Sequence, residues 1–194
     1  MKKFDELQYR DDGSYSIRIL TPDDVTPEYV KWISDPEVTK YSYNRYRSFT
    51  LDGQKKYVEE MFNSNEHHLY GFFHNGLHIG NSLFGPIDWR HNVSDLRVVL
   101  GYKKYWGKGL ISGLVPKALE TSFGEYPFFK GSALVLSNNL LSIFALRKLG
   151  FVKEGIKKYH WNFEGTQIHL YDYGLFLEYG KIIKDYKPNS NNGN

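Results

Sequence analysis

Gly107 and Gly109 stand one residue apart, flanked by Lys104 and Lys108 and preceded by Tyr105-Trp106. Upstream, Val98-Val99-Leu100 is an apolar run of strand type; from Leu110 onward apolar positions recur at helical spacing. A strand that turns through such a loop directly into a helix can make an anion site. The first helical N–H groups lack intrahelical partners and carry the positive end of the helix dipole. Glycines let an anion approach the backbone with no Cβ in the way. The same residues also suit an ordinary strand-to-helix turn. Two known nucleotide loops are excluded: there is no GxxxxGK followed by Ser or Thr, and Gly107-Lys108-Gly109-Leu110-Ile111-Ser112-Gly113 places its third glycine one position late for GxGxxG.

The rest of the composition narrows the chemistry. With 25 Lys+Arg against 22 Asp+Glu in 194 residues, the net charge of +3 is too small for a polybasic nucleic-acid binder. Zero cysteines exclude disulfides, thiolate metal sites and a cysteine nucleophile. The 7 histidines show no HExxH-like spacing, so no metal is expected. No run approaches the ~18 apolar residues of a membrane span. Met1-Lys2-Lys3-Phe4-Asp5-Glu6 turns acidic where a signal peptide would be apolar. A soluble, cytoplasmic chain with no membrane or nucleic-acid partner is expected, as a monomer or homodimer.

The elements that must position the loop can be read from periodicity. Residues 1–13 are expected to be a flexible arm, 14–183 one domain, and 184–194 a disordered tail. A strand is predicted at 16–20, a helix carrying Tyr29, Val30, Trp32 and Ile33, and a second helix over 51–62 capped by Thr50. Strands 69–73 and 77–84 flank Asn75-Gly76, a strong hairpin signal because both turn residues need φ > 0. Strand 96–100 follows a turn at 88–92. A helix over 110–123 contains Pro116, which should kink it. Strand 133–136 is continuous in apolar residues, helix 139–149 ends at Gly150, and two last strands flank the turn 162–165. An antiparallel meander followed by strand–helix–strand–helix–strand is α/β with a mixed sheet.

The spacing Lys104-x-x-Gly107-x-Gly109 resembles the acyl-coenzyme A pyrophosphate loop of the GNAT N-acetyltransferases, written Arg/Gln-x-x-Gly-x-Gly/Ala. The wording Tyr105-Trp106-Gly107-Lys108-Gly109 is similar to the branch of ribosomal-protein N-terminal acetyltransferases and many sugar N-acetyltransferases. A second family motif follows in order: Asn139-x-x-Ser142, then Leu146-Arg147-Lys148-Leu149-Gly150-Phe151. Gly85–Asn92 and Trp32–Tyr41 also have this branch's wording, and the likeness spans roughly residues 16–178. Three positions depart from the family pattern. Lys104 replaces Arg or Gln. Leu146 stands where many members carry a tyrosine that protonates the departing thiolate. Asp95 stands where a glutamate is frequent.

The resemblance implies a GNAT-like α/β fold, with a mostly antiparallel sheet splayed at the acyl-CoA strand. It implies direct attack of an amine on the thioester of acetyl-CoA in a ternary complex, with no covalent enzyme intermediate and no metal. Pantetheine would pair with Val98, Val99 and Leu100. The pyrophosphate would sit on Lys104, Tyr105, Trp106, Gly107, Lys108, Gly109 and Leu110. Asn139 would bond the pantetheine arm, and Ser142 would take over as proton donor to the thiolate. Asp95 and His91 are the favoured protein contributors to a water-relayed base; Asp88, His160 and Glu164 also fall on elements that could line the cleft. The segment 41–47, with Tyr43, Arg45 and Arg47, would overhang the acceptor. Tyrosine and arginine suit an amino sugar carried on a nucleotide. The alternatives are a protein N-terminal or other small amine and, in a different class, a non-catalytic acyl-CoA-binding module.

Overall fold

The computed structural model describes residues 6–9, 14–127 and 129–184. One sheet organises them. Its strands are β1 (Leu7–Tyr9), β2 (Tyr15–Ile19), β3 (His68–His74), β4 (Leu77–Asp88), β5 (Val93–Leu100), β6 (Phe129–Leu136), β7 (Val152–Phe163), β8 (Thr166–Glu178) and β9 (Lys181–Ile182). They lie in the order β1-β2-β3-β4-β5-β6-β8-β7, with β9 joined to β8. Every pair is antiparallel except β5 with β6. The helices are α1 (Pro27–Ile33), α2 (Leu51–Asn63), α3 (Leu110–Phe123) and α4 (Leu140–Leu149). This is the expected α/β architecture with an open, mostly antiparallel sheet.

Local chemistry sets the element ends. The Thr26 and Thr50 hydroxyls cap α1 and α2 by accepting from the N–H groups of Tyr29 and Gly53. Asn75 (φ 49) and Gly76 (φ 77) turn the β3–β4 hairpin as their sequence predicts. Helix α3 runs continuously through Pro116, and Gly150 ends α4 in the left-handed region (φ 101).

Alternation along the strands divides the core between two faces. Leu96, Val98 and Leu100 of β5 join Leu110, Leu114 and Phe123 of α3 and Ile143 and Leu149 of α4 on one face. Val99 turns to the other face, with Tyr29, Trp32, Val58 and Tyr57 of α1 and α2. A third cluster joins Leu136, Phe163 and Leu170 to Tyr41 and Trp161.

Several extents differ from the periodicity reading; β4, for one, runs on to Asp88. Part of the expected arm is strand: Leu7–Tyr9 pairs with Tyr15–Ile17, and the Tyr9 ring closes on α3 where Gly113 has no side chain. Residues 1–5, 10–13 and 185–194, the remainder of the arm and nearly all of the tail, lie outside the described residues. Strands β5 and β6 begin earlier than predicted, at Val93 and Phe129. Each stretch has a single large apolar residue, Val93 or Phe129, followed by polar or small ones, so no apolar run marks them.

Candidate active site

The added lengths of β5 and β6 are where the two strands meet. Their parallel ladder has three rungs, Val93–Lys130, Ser94–Gly131 and Asp95–Ser132, and ends there. Beyond it β5 stays with β4 as far as Leu100, while β6 stays with β8 as far as Leu136. The sheet therefore opens into a wedge with Asp95 and Ser132 at its vertex. The Gly101 N–H donates to the Ile79 carbonyl at 2.8 Å, and the Val99 carbonyl lies against Gly80 on β4. By strand alternation the main-chain groups of Val98 and Leu100 then face the open edge. The Leu100 carbonyl accepts from Trp106 Nε1 at 2.9 Å. The Val98 N–H and C=O and the Leu100 N–H remain directed at the wedge, so an extended ligand could add itself as a strand.

At the wide end of the wedge lies the glycine loop. Gly107 and Gly109 take φ 71 and 74, a region that disfavours any residue with a Cβ. Gly109 is the N-cap of α3 and supplies no side-chain cap; Ser112 Oγ donates to the Gly109 carbonyl instead. The first N–H groups of α3 are thus left for a ligand. The sequence reading of the loop is corrected at three positions. The Tyr105 and Trp106 N–H groups are already bonded to Tyr102 O and Lys103 O. Tyr105 is buried with its hydroxyl on His74 Nδ1 at 2.8 Å. Lys104 Nζ rests over the Tyr105 and Tyr102 rings, 5.0 and 5.8 Å from their centroids, rather than over the glycines. The ammonium that does reach Gly109 is one that the sequence reading passed over. Lys148 Nζ, from the last turn of α4, lies 3.2 Å from where a Cβ on Gly109 would stand.

The loop is held from behind. Trp32 of α1 packs directly on Gly101, where any side chain would collide with its ring, and Lys103 pairs with Glu37 and with Asp35 (3.9 Å). Beneath Val99, Tyr29 Oη accepts from Gln54 Nε2 (2.9 Å) and Asn81 Nδ2 (2.6 Å). Asn81 Oδ1 is then free to accept from His78 Nε2 at 2.6 Å. Burial pushes the Tyr29 phenol far up and the His78 imidazole down, so both stay neutral. This network ties α1 and α2 to β4 under the reacting strand.

At the vertex, Asp95 Oδ1 accepts from Ser132 Oγ (2.9 Å) and Oδ2 from Arg97 Nη2 (3.2 Å). Asp95, Arg97 and Val99 share the α1–α2 face. Burial pushes the Tyr57 phenol of α2 up, while the Arg97 and Arg47 charges pull it back, so both guanidiniums lie within electrostatic reach of one hydroxyl. Arg47 and Tyr57 also line a cavity of about 230 Å³ with Thr50 and Gln54. The segment 41–47 packs on the β7–β8 hairpin. Tyr41 stacks on Phe163 (5.5 Å) and Tyr43 meets Trp161 (4.4 Å). Arg45 bonds Glu164 at 3.1 Å and the Lys40 carbonyl, so it clamps the loop to the β7–β8 hairpin rather than facing a substrate. Arg97 and Tyr57 were missed; Arg97 was legible as sharing a strand face with Asp95.

His91 is a further correction. It lies in the β4–β5 turn, its Nδ1 on Asp88 Oδ2 at 2.8 Å, at the end of β5 opposite the wedge. At strand rise it stands roughly 20 Å from Val98. Asp88 accepts the Arg90 and His91 N–H groups as a turn former, and Glu164 belongs to the hairpin clamp. Across the wedge, α4 begins just beyond β6. Asn139 Oδ1 accepts from the Ser142 N–H at 3.3 Å, which places Ser142 in the first turn of α4. Leu146 packs against the core. Among the described residues no cluster of His, Asp and Glu could hold a metal, and no helix is long and apolar enough to cross a membrane.

Residues 16–152 match the acetyltransferase (GNAT) domain. The chain belongs to the GNAT acetyltransferases. An uncharacterized N-acetyltransferase p20 of Bacillus licheniformis is 32% identical over 148 residues, 73% of this chain and 82% of that protein. Solved structures with the same fold include a ribosomal-protein-S5-alanine acetyltransferase from Vibrio fischeri, with TM-score 0.75, 22% identity, 95% of this chain and 100% of that chain. A spermidine N-acetyltransferase from Vibrio cholerae, in complex with CoA and spermine, matches with TM-score 0.72 and 16% identity over 87% of this chain and 97% of that chain. This GNAT protein is therefore an acetyl-CoA-dependent N-acetyltransferase.

Proposed function

We propose that this GNAT protein acetylates a primary amine whose own body carries an anionic group, and that a nucleotide-linked amino sugar is the acceptor class. The observation that carries the reading is Arg47, which lines a cavity with Tyr57 on the α1–α2 face, with Arg97, bonded to Asp95, on the neighbouring strand β5. Tyr43 and Trp161 add an aromatic surface of the kind that stacks on a sugar or base. Paired hydrogen bonds from guanidinium suit phosphate.

In this reading acetyl-CoA lies in the wedge. Its pantetheine pairs with Val98 and Leu100, and Asn139 bonds it from the other side. Its pyrophosphate rests on the amides of Gly107 to Leu110 and the first turn of α3. The neutral amine attacks the thioester carbonyl carbon from the α1–α2 face. Main-chain N–H groups of β5 favour the developing oxyanion. The C–N bond forms, the C–S bond breaks, and the amine proton leaves through water to Asp95. Ser142 supplies a proton to the departing thiolate and regains one from solvent, replacing the tyrosine absent at Leu146. Positioning supplies much of the rate.

The test is a thiol-release assay with acetyl-CoA over nucleotide-linked amino sugars, sugar phosphates bearing an amine, spermidine and peptides with free N-termini. Turnover confined to the phosphorylated amines is expected. Turnover of peptides or spermidine with none of the phosphorylated amines would replace this acceptor by those of the structural neighbours. Tight acetyl-CoA binding without turnover of any amine would favour a non-catalytic acyl-CoA-binding module.

A further inference from the structure

We infer that Lys148, reaching across from the last turn of α4, completes the coenzyme pyrophosphate site on the first turn of α3. The inference rests on the acetyl-CoA reading above and adds a residue from outside the glycine loop. Three observations carry it.

The first is position. Lys148 Nζ lies 3.2 Å from the place a Gly109 Cβ would occupy, so its charge sits directly over the α3 N-cap. Helices α3 and α4 pack side by side, which makes this reach a feature of the tertiary fold. The second is sign. An ammonium against a helix N-terminus meets the positive end of the dipole and the orphan N–H groups, and Lys108 adds another positive charge one residue away. Such an arrangement is unfavourable until an anion lies between its members. The third is the lack of another use. None of the salt bridges among the described residues includes Lys148. A cation in the last turn of α4 also suits that helix's own negative end, a place that Lys148 shares with Arg147. Lys104, the cation expected at the loop, is instead held over Tyr105 and Tyr102. The ammonium moves with a flexible four-carbon stem, so Lys148 can settle on a phosphate once it arrives. The pyrophosphate is the group addressed, because Gly109 is where the free amides converge.

The experiment is calorimetric titration of CoA and of 3′-dephospho-CoA into the wild type, Lys148→Ala and Lys148→Arg, at low and moderate salt. An exposed lysine–phosphate contact predicts an affinity loss of about three- to tenfold for Lys148→Ala, shrinking as salt rises. The loss should be equal for both ligands, since both carry the pyrophosphate, and Lys148→Arg should recover most of it. The melting temperature of the unliganded Ala variant should stay within error of the wild type. Unchanged affinity in Lys148→Ala overturns the inference while leaving the acetyl-CoA reading intact. A loss seen with CoA and absent with 3′-dephospho-CoA also overturns it, by moving the contact to the 3′-phosphate. Failure of the wild type to bind CoA at all overturns the reading and this inference together.

Discussion

Replacing Gly109 separates the backbone need of the loop from its electrostatics. At φ 74 any residue with a Cβ is strained by about 1–2 kcal/mol, with aspartate at the low end because it tolerates the left-handed region better than alanine. The new Cβ meets only the tip of Lys148 at 3.2 Å, an atom that can swing away, so steric cost is small. For a protein of this size the melting temperature should fall by roughly 2–8 °C in either Gly109→Ala or Gly109→Asp. Coenzyme affinity should divide them. An aspartate carboxylate there would stand about 4 Å from the pyrophosphate, where one pair of like charges costs roughly 4 kcal/mol at an effective dielectric near 20. It would also draw Lys148 into an ion pair. Salt screening reduces the total, so Gly109→Asp should weaken acetyl-CoA binding by about a hundredfold to a thousandfold, and Gly109→Ala by far less. Scanning calorimetry reads the stability and isothermal titration the affinity. Undiminished binding by Gly109→Asp would remove the loop from the coenzyme site. Equal losses in both variants would show that backbone conformation, and not charge, governs the contact.

Ser142→Ala should lower kcat more than it raises the acetyl-CoA Kd, because the contact with sulfur matters only as the C–S bond breaks; an unchanged kcat leaves solvent as the proton donor. Arg47→Ala should raise the acceptor KM by about tenfold and leave that for acetyl-CoA nearly unchanged, and equal small effects on both would return Arg47 to a surface role. Stability should depend on pH through His68, whose imidazole is pushed down to about 4, first by burial and then by neighbouring His67. Between pH ~6.5 and ~4 the unfolded chain binds the proton that the folded one refuses, so this stabilisation is complete above pH 6.5 and is lost as pH falls, by up to about 3 kcal/mol. Urea midpoints that stay level from pH 7 to 4.5, or that fall just as steeply in His68→Gln, would rule His68 out as the cause.

The glycine loop, the helices after it and the β3–β4 hairpin were legible in the residues because their causes are local. Left-handed turns need Gly or Asn, caps need Thr or Asn, and amphipathic helices repeat with their own period. Hence Gly107, Gly109, Asn75-Gly76, Thr50 and the bounds of α3 fall where their spacing put them. The contacts of segment 41–47 were not legible in the residues. Arg45 and Arg47 look equivalent along the chain. Only the packing of Tyr41 on Phe163 brings Glu164 to one of them and leaves the other beside Tyr57. The wedge was expected only through the family resemblance, with nothing in the local residue pattern to mark it. It depends on where the short ladder of Val93–Asp95 with Lys130–Ser132 ends, and those residues, polar or small apart from Val93, carry no strand period of their own. His91 and Asp95 are four residues apart in sequence, and strand direction alone sends one to the vertex and the other to the far turn. Lys104 and Lys148 make the same point: one lies in the motif and is drawn onto aromatic rings, while the other lies 39 positions past Gly109 and is brought to it by the packing of α4 on α3. Residue type and spacing determine which chemistry is available. Pairing and packing between distant segments decide which copy of each group reaches it, because contact distance in a folded chain has no fixed relation to separation along it.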